Sequence, residues 1–416
     1  MSIKIKVSVS VWSAVVGICL LGSCKKDSVV TDPPTTTPTT PTTDPVPSMT
    51  TVKTWLADKN ATNETAALFY NLKKIAKTNI LFGHQDDTKR GVLAGGTQWA
   101  NEQHILPHPA TTQSDVKEVT GAYPVIYGHD FQHIADFMSG NWFDYERDMA
   151  RQLTIEAYNR GGVNTYSWHY DNPVSKTDGS FYWDNSKVEA VSKIIPGGDS
   201  NAVFKASLKE VAAFAKSLIG ADGKLIPVIF RPFHEFDGDW FWWGATHSTA
   251  QQYKELYKFT VTYLRDSLDV HNFIYAWSPD KNFTSESQYL ERYPGDEFVD
   301  LVGSDNYGDV TANVAPSVAS NKLKIVSDYA IRKNKVAALT ETGLQNLPQA
   351  DWFNQKLLKI LKNQPLELAY VLVWANTADA YWTPYKGQAA EQDFISFKNN
   401  GYAVFADKAP QMYKLQ

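Results

Sequence analysis

The sequence predicts an α/β fold, a (β/α)8 TIM barrel built as a single domain, on three observations. Short apolar runs alternate with amphipathic helical stretches from about Met49 to the C-terminus, and eight such runs can be counted. The 416 residues, 43% of them hydrophobic, are enough to bury a core of that size. No Gly-rich phosphate loop follows the first run, where Gly83-His84-Gln85-Asp86-Asp87 stands, and this weighs against a doubly wound open sheet.

Residues 1–23 read as a leader, with Lys4 and Lys6 ahead of an apolar stretch from Val7 to Leu21. The ending Leu21-Gly22-Ser23-Cys24 resembles a bacterial lipoprotein signal, which implies cleavage before Cys24 and its lipidation. The apolar stretch is shorter than the ~20 residues a membrane-spanning helix needs. Cys19 and Cys24 are the chain's two cysteines, so the expected mature domain holds no disulfide and no thiolate metal site. Residues 24–48 carry the lipidated cysteine and a Thr/Pro tract expected to act as a semi-extended linker. Residues 49–416 are then the barrel domain. The expected location is a bacterial envelope, on the outer membrane, with the lipid on Cys24 as the membrane attachment and the domain a monomer.

The candidate strands are Asn79 to Phe82, Tyr123 to Tyr127, Val163 to Ser167, Leu225 to Phe230, Asn272 to Ala276, Phe298 to Val302, Val336 to Leu339 and Leu368 to Val373. Between them lie candidate helices Tyr145 to Asn159, Val203 to Leu218, Ala250 to Leu268, Lys322 to Lys333 and Trp352 to Lys362. In such barrels the chemistry gathers at the C-terminal ends of the strands. Here His84, His129, His169 and His234 follow the first four runs, Asp305 and Tyr307 the sixth, Glu341 the seventh and Trp374 the eighth.

Composition narrows the partner. The formal net charge is −5, with no basic run to neutralise a row of phosphates, so nucleic acid is not expected. The 13 Trp and 21 Tyr exceed what a core needs, and flat aromatic faces are the usual surface for stacking sugar rings.

Two carboxyl groups stand out. The fourth run ends in Arg231-Pro232-Phe233-His234-Glu235, with Phe236, Trp240, Phe241, Trp242 and Trp243 around it. Apolar walls favour a protonated carboxyl, the state a general acid requires. The alternative is that Glu235 only pairs with Arg231 on the same strand. The seventh run delivers Glu341 to the rim from across the barrel, and a pair of carboxyls facing one substrate is the equipment of retaining glycoside hydrolysis. His84, Asp86, Asp87, His129, Asp130, His169, His234 and Glu235 crowd one rim, but no zinc signature such as His-Glu-x-x-His is present and no metal or other cofactor is expected.

The ordered segments Gly83-His84-Gln85-Asp86-Asp87, Ser167-Trp168-His169 with Asn172-Pro173, Pro196-Gly197-Gly198, Arg231-Pro232-Phe233-His234-Glu235, Trp240-Phe241-Trp242-Trp243-Gly244, Ser304-Asp305-Asn306-Tyr307 and Thr340-Glu341-Thr342-Gly343 resemble glycoside hydrolase family 26, from about Thr51 to the C-terminus. The resemblance implies a retaining, cofactor-free hydrolase acting most often as an endo-β-1,4-mannanase on mannan, glucomannan or galactomannan. It also implies Glu235 as acid/base and Glu341 as nucleophile. Substrate-binding residues are then expected at His84, His129, Trp168, His169, His234, Trp240, Asp305, Tyr307 and Trp374. Within that set the resemblance gives Tyr307 a hydrogen bond to the nucleophile, Trp240 a place beside the cleaved bond and Trp374 the platform under the reacting sugar. Ala375 replaces the arginine that such mannanases often carry after the tryptophan, removing one contact to a distal sugar. The long stretch from Asp171 to Ile195, with Phe181-Tyr182-Trp183, is either a wall at one end of the cleft or an aromatic patch packing its own loop. Open alternatives are a mannobiose-releasing exo-enzyme, a xylanase or mixed-linkage glucanase of the same family, or a non-catalytic glycan-binding lipoprotein on the same scaffold.

Overall fold

The computed structural model describes residues 45–135, 140–175 and 180–416, and the expected leader, Cys24 and nearly all of the Thr/Pro tract fall outside them. Eight parallel strands follow one another around a closed barrel: β1 (Ile80–Gln85), β2 (Ile126–Asp130), β3 (Val163–Trp168), β4 (Val228–Pro232), β5 (Phe273–Trp277), β6 (Leu301–Asn306), β7 (Val336–Thr342) and β8 (Tyr370–Val373). The ring shuts where β8 pairs with β1, Leu81 opposite Tyr370 and Phe82 opposite Val371. This is the (β/α)8 TIM barrel.

Successive residues of a strand point to opposite faces, and the packing divides accordingly. Leu81, Ile126, Ile229, Ile274, Leu301, Ala338 and Leu372 belong to one apolar cluster. Their neighbours Phe82, Phe230, Phe273, Val302, Ala337 and Val371 belong to another, shared with the surrounding helices. Helix α1 (Met49–Lys53) and helix α2 (Asn63–Ala76) join the inner cluster through Val52, Leu68, Phe69 and Leu72 and close its lower end. Ser48 and Thr62 cap these two helices, each side chain accepting an amide from the first turn.

Each of the eight anticipated runs overlaps a strand, though those from Tyr123, Leu225 and Phe298 begin three residues early, and most strands extend further toward the rim than their apolar residues alone reach. Among the elements not anticipated are α1, α2, the helices Asp115–Thr120 and Glu391–Asn399, a short strand Ala403–Val404 beside β1, and an antiparallel hairpin of Arg90–Val92 with Gln98–Ala100. The stretch anticipated as one helix from Ala250 to Leu268 is α-helical to Thr262, opening with a capping box between Thr249 and Gln252, and finishes in a π turn, Tyr263–Ser267.

Candidate active site

The same alternation decides which rim residues look into the barrel. Along the first hydrogen-bonded row above the core, Asp130 of β2 stands beside Ser167 of β3, and Ser167 beside Arg231 of β4. On the far side Asp305 of β6 stands beside Glu341 of β7. Glu341 reaches that row through a bulge. Ser304 pairs with Leu339, yet Asp305 pairs with Glu341, so Thr340 is an extra residue, and strict alternation would have aimed Thr340 inward and Glu341 at the helices.

Glu235 arrives differently, on a turn beyond β4 in which Phe233 (φ +51°) and Glu235 (φ +52°) both take left-handed backbone. For non-glycine residues such conformations are costly and are held only by surrounding structure. Here the Tyr253 hydroxyl donates to the Phe233 carbonyl at 2.9 Å and the Trp243 indole N–H to the His234 carbonyl at 2.8 Å. The Glu235 amide donates to the Ser278 carbonyl at 3.0 Å.

The two glutamates have unlike surroundings. Arg231 Nη2 donates to Glu341 Oε1, and Tyr307 donates its hydroxyl to Glu341 Oε2 at 3.0 Å. The same guanidinium holds Asp305 Oδ2 at 2.8 Å, and the Ser278 hydroxyl donates to that oxygen at 3.0 Å. Burial alone would lower the Arg231 pKa, but Asp305 and Glu341 raise it, so the cation is permanent. Glu235 has no cation against it. Its Oε2 accepts the Trp240 indole N–H at 2.8 Å, and burial, followed by the charges of Glu341, Asp305 and Asp280, pushes its carboxyl well above the usual range. Arg231 therefore serves Glu341 and Asp305, not Glu235.

A cleft of about 520 Å³ opens above this row, lined by His169, Tyr182, His234, Glu235, Trp240, Phe241, Tyr307, Thr311, Glu341, Gly343, Leu344, Gln345, Trp374 and Trp382. His169 and His234 meet edge to face, ring centroids 4.6 Å apart. Burial would depress the His169 imidazole, but Asp130 bonded to its Nδ1 and Glu341 nearby raise it. Burial, with Arg231 and His169 adding to it, depresses His234 well below an ordinary histidine. One imidazole in the cleft thus holds a proton more tightly than a free histidine and its neighbour much less tightly. Burial and Glu341 keep the Tyr307 phenol protonated, a permanent donor.

Of the anticipated substrate-binding residues, the structure brings His169, His234, Trp240, Tyr307 and Trp374 to the cleft and withholds four. Trp168, His129 and His84 lie on the outward parity of their strands. Trp168 has no exposed surface and packs on Tyr170 at 4.3 Å and on Phe204. His129 stacks on Tyr166 and bonds Asn164 at 3.0 Å, and burial lowers it to about 4. His84 has both nitrogens engaged, with Asp87 at 2.9 Å and Thr383 at 3.2 Å. Asp305 does point inward, but it is fully buried beneath the cleft and holds Arg231 instead of a sugar. Trp168→Ala is accordingly expected to cost about 3–5 kcal/mol of stability, read from denaturant midpoints, with KM of the folded enzyme unchanged. A variant of normal stability with raised KM would restore Trp168 to the substrate-binding set.

Phe181-Tyr182-Trp183 divides between its two readings. Tyr182 lines the cleft, whereas Phe181 packs on His169 and Trp183 stacks on His247 at 3.8 Å. The crowded acids and histidines of the rim resolve into pairs, Asp86 with Arg90, Asp87 with His84 and Asp130 with His169. Among the described residues no three His, Cys, Asp or Glu side chains group as a metal site. Phe241 and Asp130 were noted in the sequence without a place in the substrate-binding set, and the residues missed outright were Arg231 as a brace for Glu341, Thr311, Gln345 and Trp382. Inward parity would have assigned Arg231 and Asp130; Thr311, Gln345 and Trp382 sit on loops with no periodic signal.

A (β/α)8 barrel whose strand ends present two differently held carboxylates in an aromatic cleft belongs to the class of barrel glycoside hydrolases. Residues 57–396 match the sequence model of Glycosyl hydrolase family 26, and the chain belongs to that family. A mannan endo-1,4-beta-mannosidase of Bifidobacterium adolescentis is 34% identical over 377 residues, 85% of this chain but 36% of that protein's length, so this chain spans about a third of it. The solved structure of GH26C from a Muricauda species is 37% identical with a TM-score of 0.81, covering 88% of this chain and 97% of the other. That of a GH26 beta-mannanase from Bacteroides ovatus is 35% identical with a TM-score of 0.75, covering 85% and 98%.

Proposed function

We propose that this chain is a retaining endo-β-1,4-mannanase in which Glu341 is the nucleophile and Glu235 the acid/base. The observation that carries the reading is the asymmetry of the two carboxyls. Glu341 accepts hydrogen bonds from the Arg231 guanidinium on one oxygen and the Tyr307 hydroxyl on the other, while Glu235, walled by aromatics and near three other acids with no cation against it, keeps its proton well above the usual carboxyl range.

In the first step Glu341 attacks the anomeric carbon and the C–O bond breaks, its oxygen taking the proton of Glu235. The product half departs and a covalent glycosyl ester remains. In the second step Glu235, now a carboxylate, takes a proton from water, whose oxygen displaces Glu341, and both groups return to their starting states. The indole N–H of Trp240 supports the anionic form of Glu235 that exists between the two steps. The His169 imidazole, lining the cleft and braced by Asp130, supplies a polar partner for a hydroxyl group of the bound sugar, and Trp374 an aromatic face. No cofactor enters.

Mannan as the substrate is supported by the Bifidobacterium and Bacteroides relatives, which are named for it. Incubation with galactomannan, glucomannan, xylan and mixed-linkage glucan is expected to give manno-oligosaccharides of mixed length from the first two. Early products whose newly formed reducing ends are β, followed by NMR before mutarotation, are expected for retention. Mannobiose alone at early times would replace the endo assignment with chain-end attack, and no product from any mannan would end the substrate assignment.

A further inference from the structure

Trp382 was not anticipated from sequence, yet it lines the cleft together with Glu341, Gly343 and Trp374. Two features show that its place is built. Gly343, two residues past Glu341, has φ +144°, and a Cβ there would lie 2.4 Å from Trp382 Cδ1. The absence of a side chain at 343 is what lets the indole lie against the strand end.

The second feature is a buried chain of hydrogen bonds. Asn376 has no exposed surface, and its Oδ1 accepts the Trp382 amide at 2.8 Å and the Thr383 amide at 3.0 Å. Its Nδ2 donates to the Thr383 carbonyl at 3.0 Å and to Asp115 Oδ2 at 2.8 Å. Asp115 in turn accepts the Trp99 indole N–H at 2.9 Å and the Val92 amide at 2.8 Å, fastening the segment to the Arg90–Val92/Gln98–Ala100 hairpin. From the other side Asn346 exchanges bonds with Tyr381, at 2.7 and 3.1 Å. His84 completes the set through Thr383. A loop pinned on both sides of one partly buried indole orders that ring before substrate arrives, so little rotamer freedom is lost on binding.

We infer that Trp382 is a sugar-stacking, specificity-determining residue for a unit flanking the cleaved bond, and that Asn376 is the positioning residue that fixes it. The inference rests on the mannanase reading for the identity of the sugar. Trp382→Ala is expected to raise KM for mannohexaose about tenfold with kcat within twofold, to change the product-length distribution, and to leave the midpoint of unfolding nearly unchanged. Trp382→Phe, which keeps a flat face, is expected to recover most of the loss. Asn376→Ala should reproduce the KM effect without touching kcat, a split that general loosening of the fold would not give.

An unchanged KM and product pattern in Trp382→Ala would overturn the inference, as would a fall in kcat alone. Titration of mannohexaose, cellohexaose and xylohexaose into Glu341→Ala, with and without Trp382→Ala, separates the two claims. If a hexaose other than mannohexaose binds, the mannan reading fails, while the second substitution is still expected to weaken that sugar about tenfold; equal affinities in the pair would reject the role of Trp382.

Discussion

Glu341→Ala is expected to lower turnover of mannan on the order of 10⁴-fold or more while leaving the protein folded, as follows when the group that forms a covalent intermediate is removed. Breaking a buried ion pair often costs several kcal/mol because a charge is left unpaired. Here Arg231 keeps Asp305 at 2.8 Å and the Ser278 hydroxyl at 3.2 Å, so its charge remains answered after Glu341 is gone. The loss should therefore appear in kcat and not in the unfolding midpoint. Azide gives the sharper reading. In Glu341→Ala it is expected to enter the space left by the carboxylate and form an α-glycosyl azide, inverted at the anomeric carbon, from a substrate with an activated leaving group. A variant retaining more than about a tenth of the parental kcat would reassign the nucleophile. Arg231→Ala is the companion case: it leaves Glu341 and Asp305 facing each other without their shared cation, and both fold and rate should suffer.

The legible part of this molecule was the part governed by repetition. Eight apolar runs separated by amphipathic stretches fix a barrel, because that alternation must bury strands inside a ring of helices. The two glutamates were legible because one stands at the end of an apolar strand and the other three residues past one. Proximity to a strand end, however, is not direction. His84, His129 and Trp168 were chosen for their position along the chain, but they fall on the parity that faces the helices, where each is satisfied by protein partners. Glu341 shows the opposite hazard, since counting by twos turns it away from the cleft and only the extra residue Thr340 turns it back. A bulge is one residue of register, and composition does not announce it. Trp382 was hidden for a different reason: its position depends on Asn376, Asp115 and Gly343, three residues distant from one another in the chain. Resemblance to a family supplied the motifs on strand ends and was silent about this loop.

Glu235→Ala is expected to lower kcat/KM on mannan about 10²–10⁴-fold, the range for a general acid/base, and much less on a substrate whose leaving group needs no proton. With that activated substrate the second step becomes limiting, and azide, which requires no base, is expected to restore turnover and yield a β-glycosyl azide. The stereochemistry of the two azide products thus tells the roles of Glu235 and Glu341 apart. The pH profile supplies an independent check. Glu235 must carry its proton in the first step, so activity is retained while pH stays below its raised pKa and is lost on the alkaline side as the carboxyl ionises. That alkaline limb is expected to vanish in Glu235→Ala acting on the activated substrate. The same environment has a cost in stability. In the unfolded chain this glutamate ionises near the ordinary value of about 4.3, whereas the folded protein holds the proton to higher pH. The folded state then binds more protons than the unfolded one over that interval, and stability falls as pH rises through it. Glu235→Gln keeps the shape and removes the ionisation, so it is expected to be more stable than the parent, by a margin that widens in denaturant titrations as pH rises above the unfolded value of about 4.3 toward the raised folded one. A margin independent of pH would mean that Glu235 is an ordinary carboxylate in the folded protein, and the acid role would fall with it.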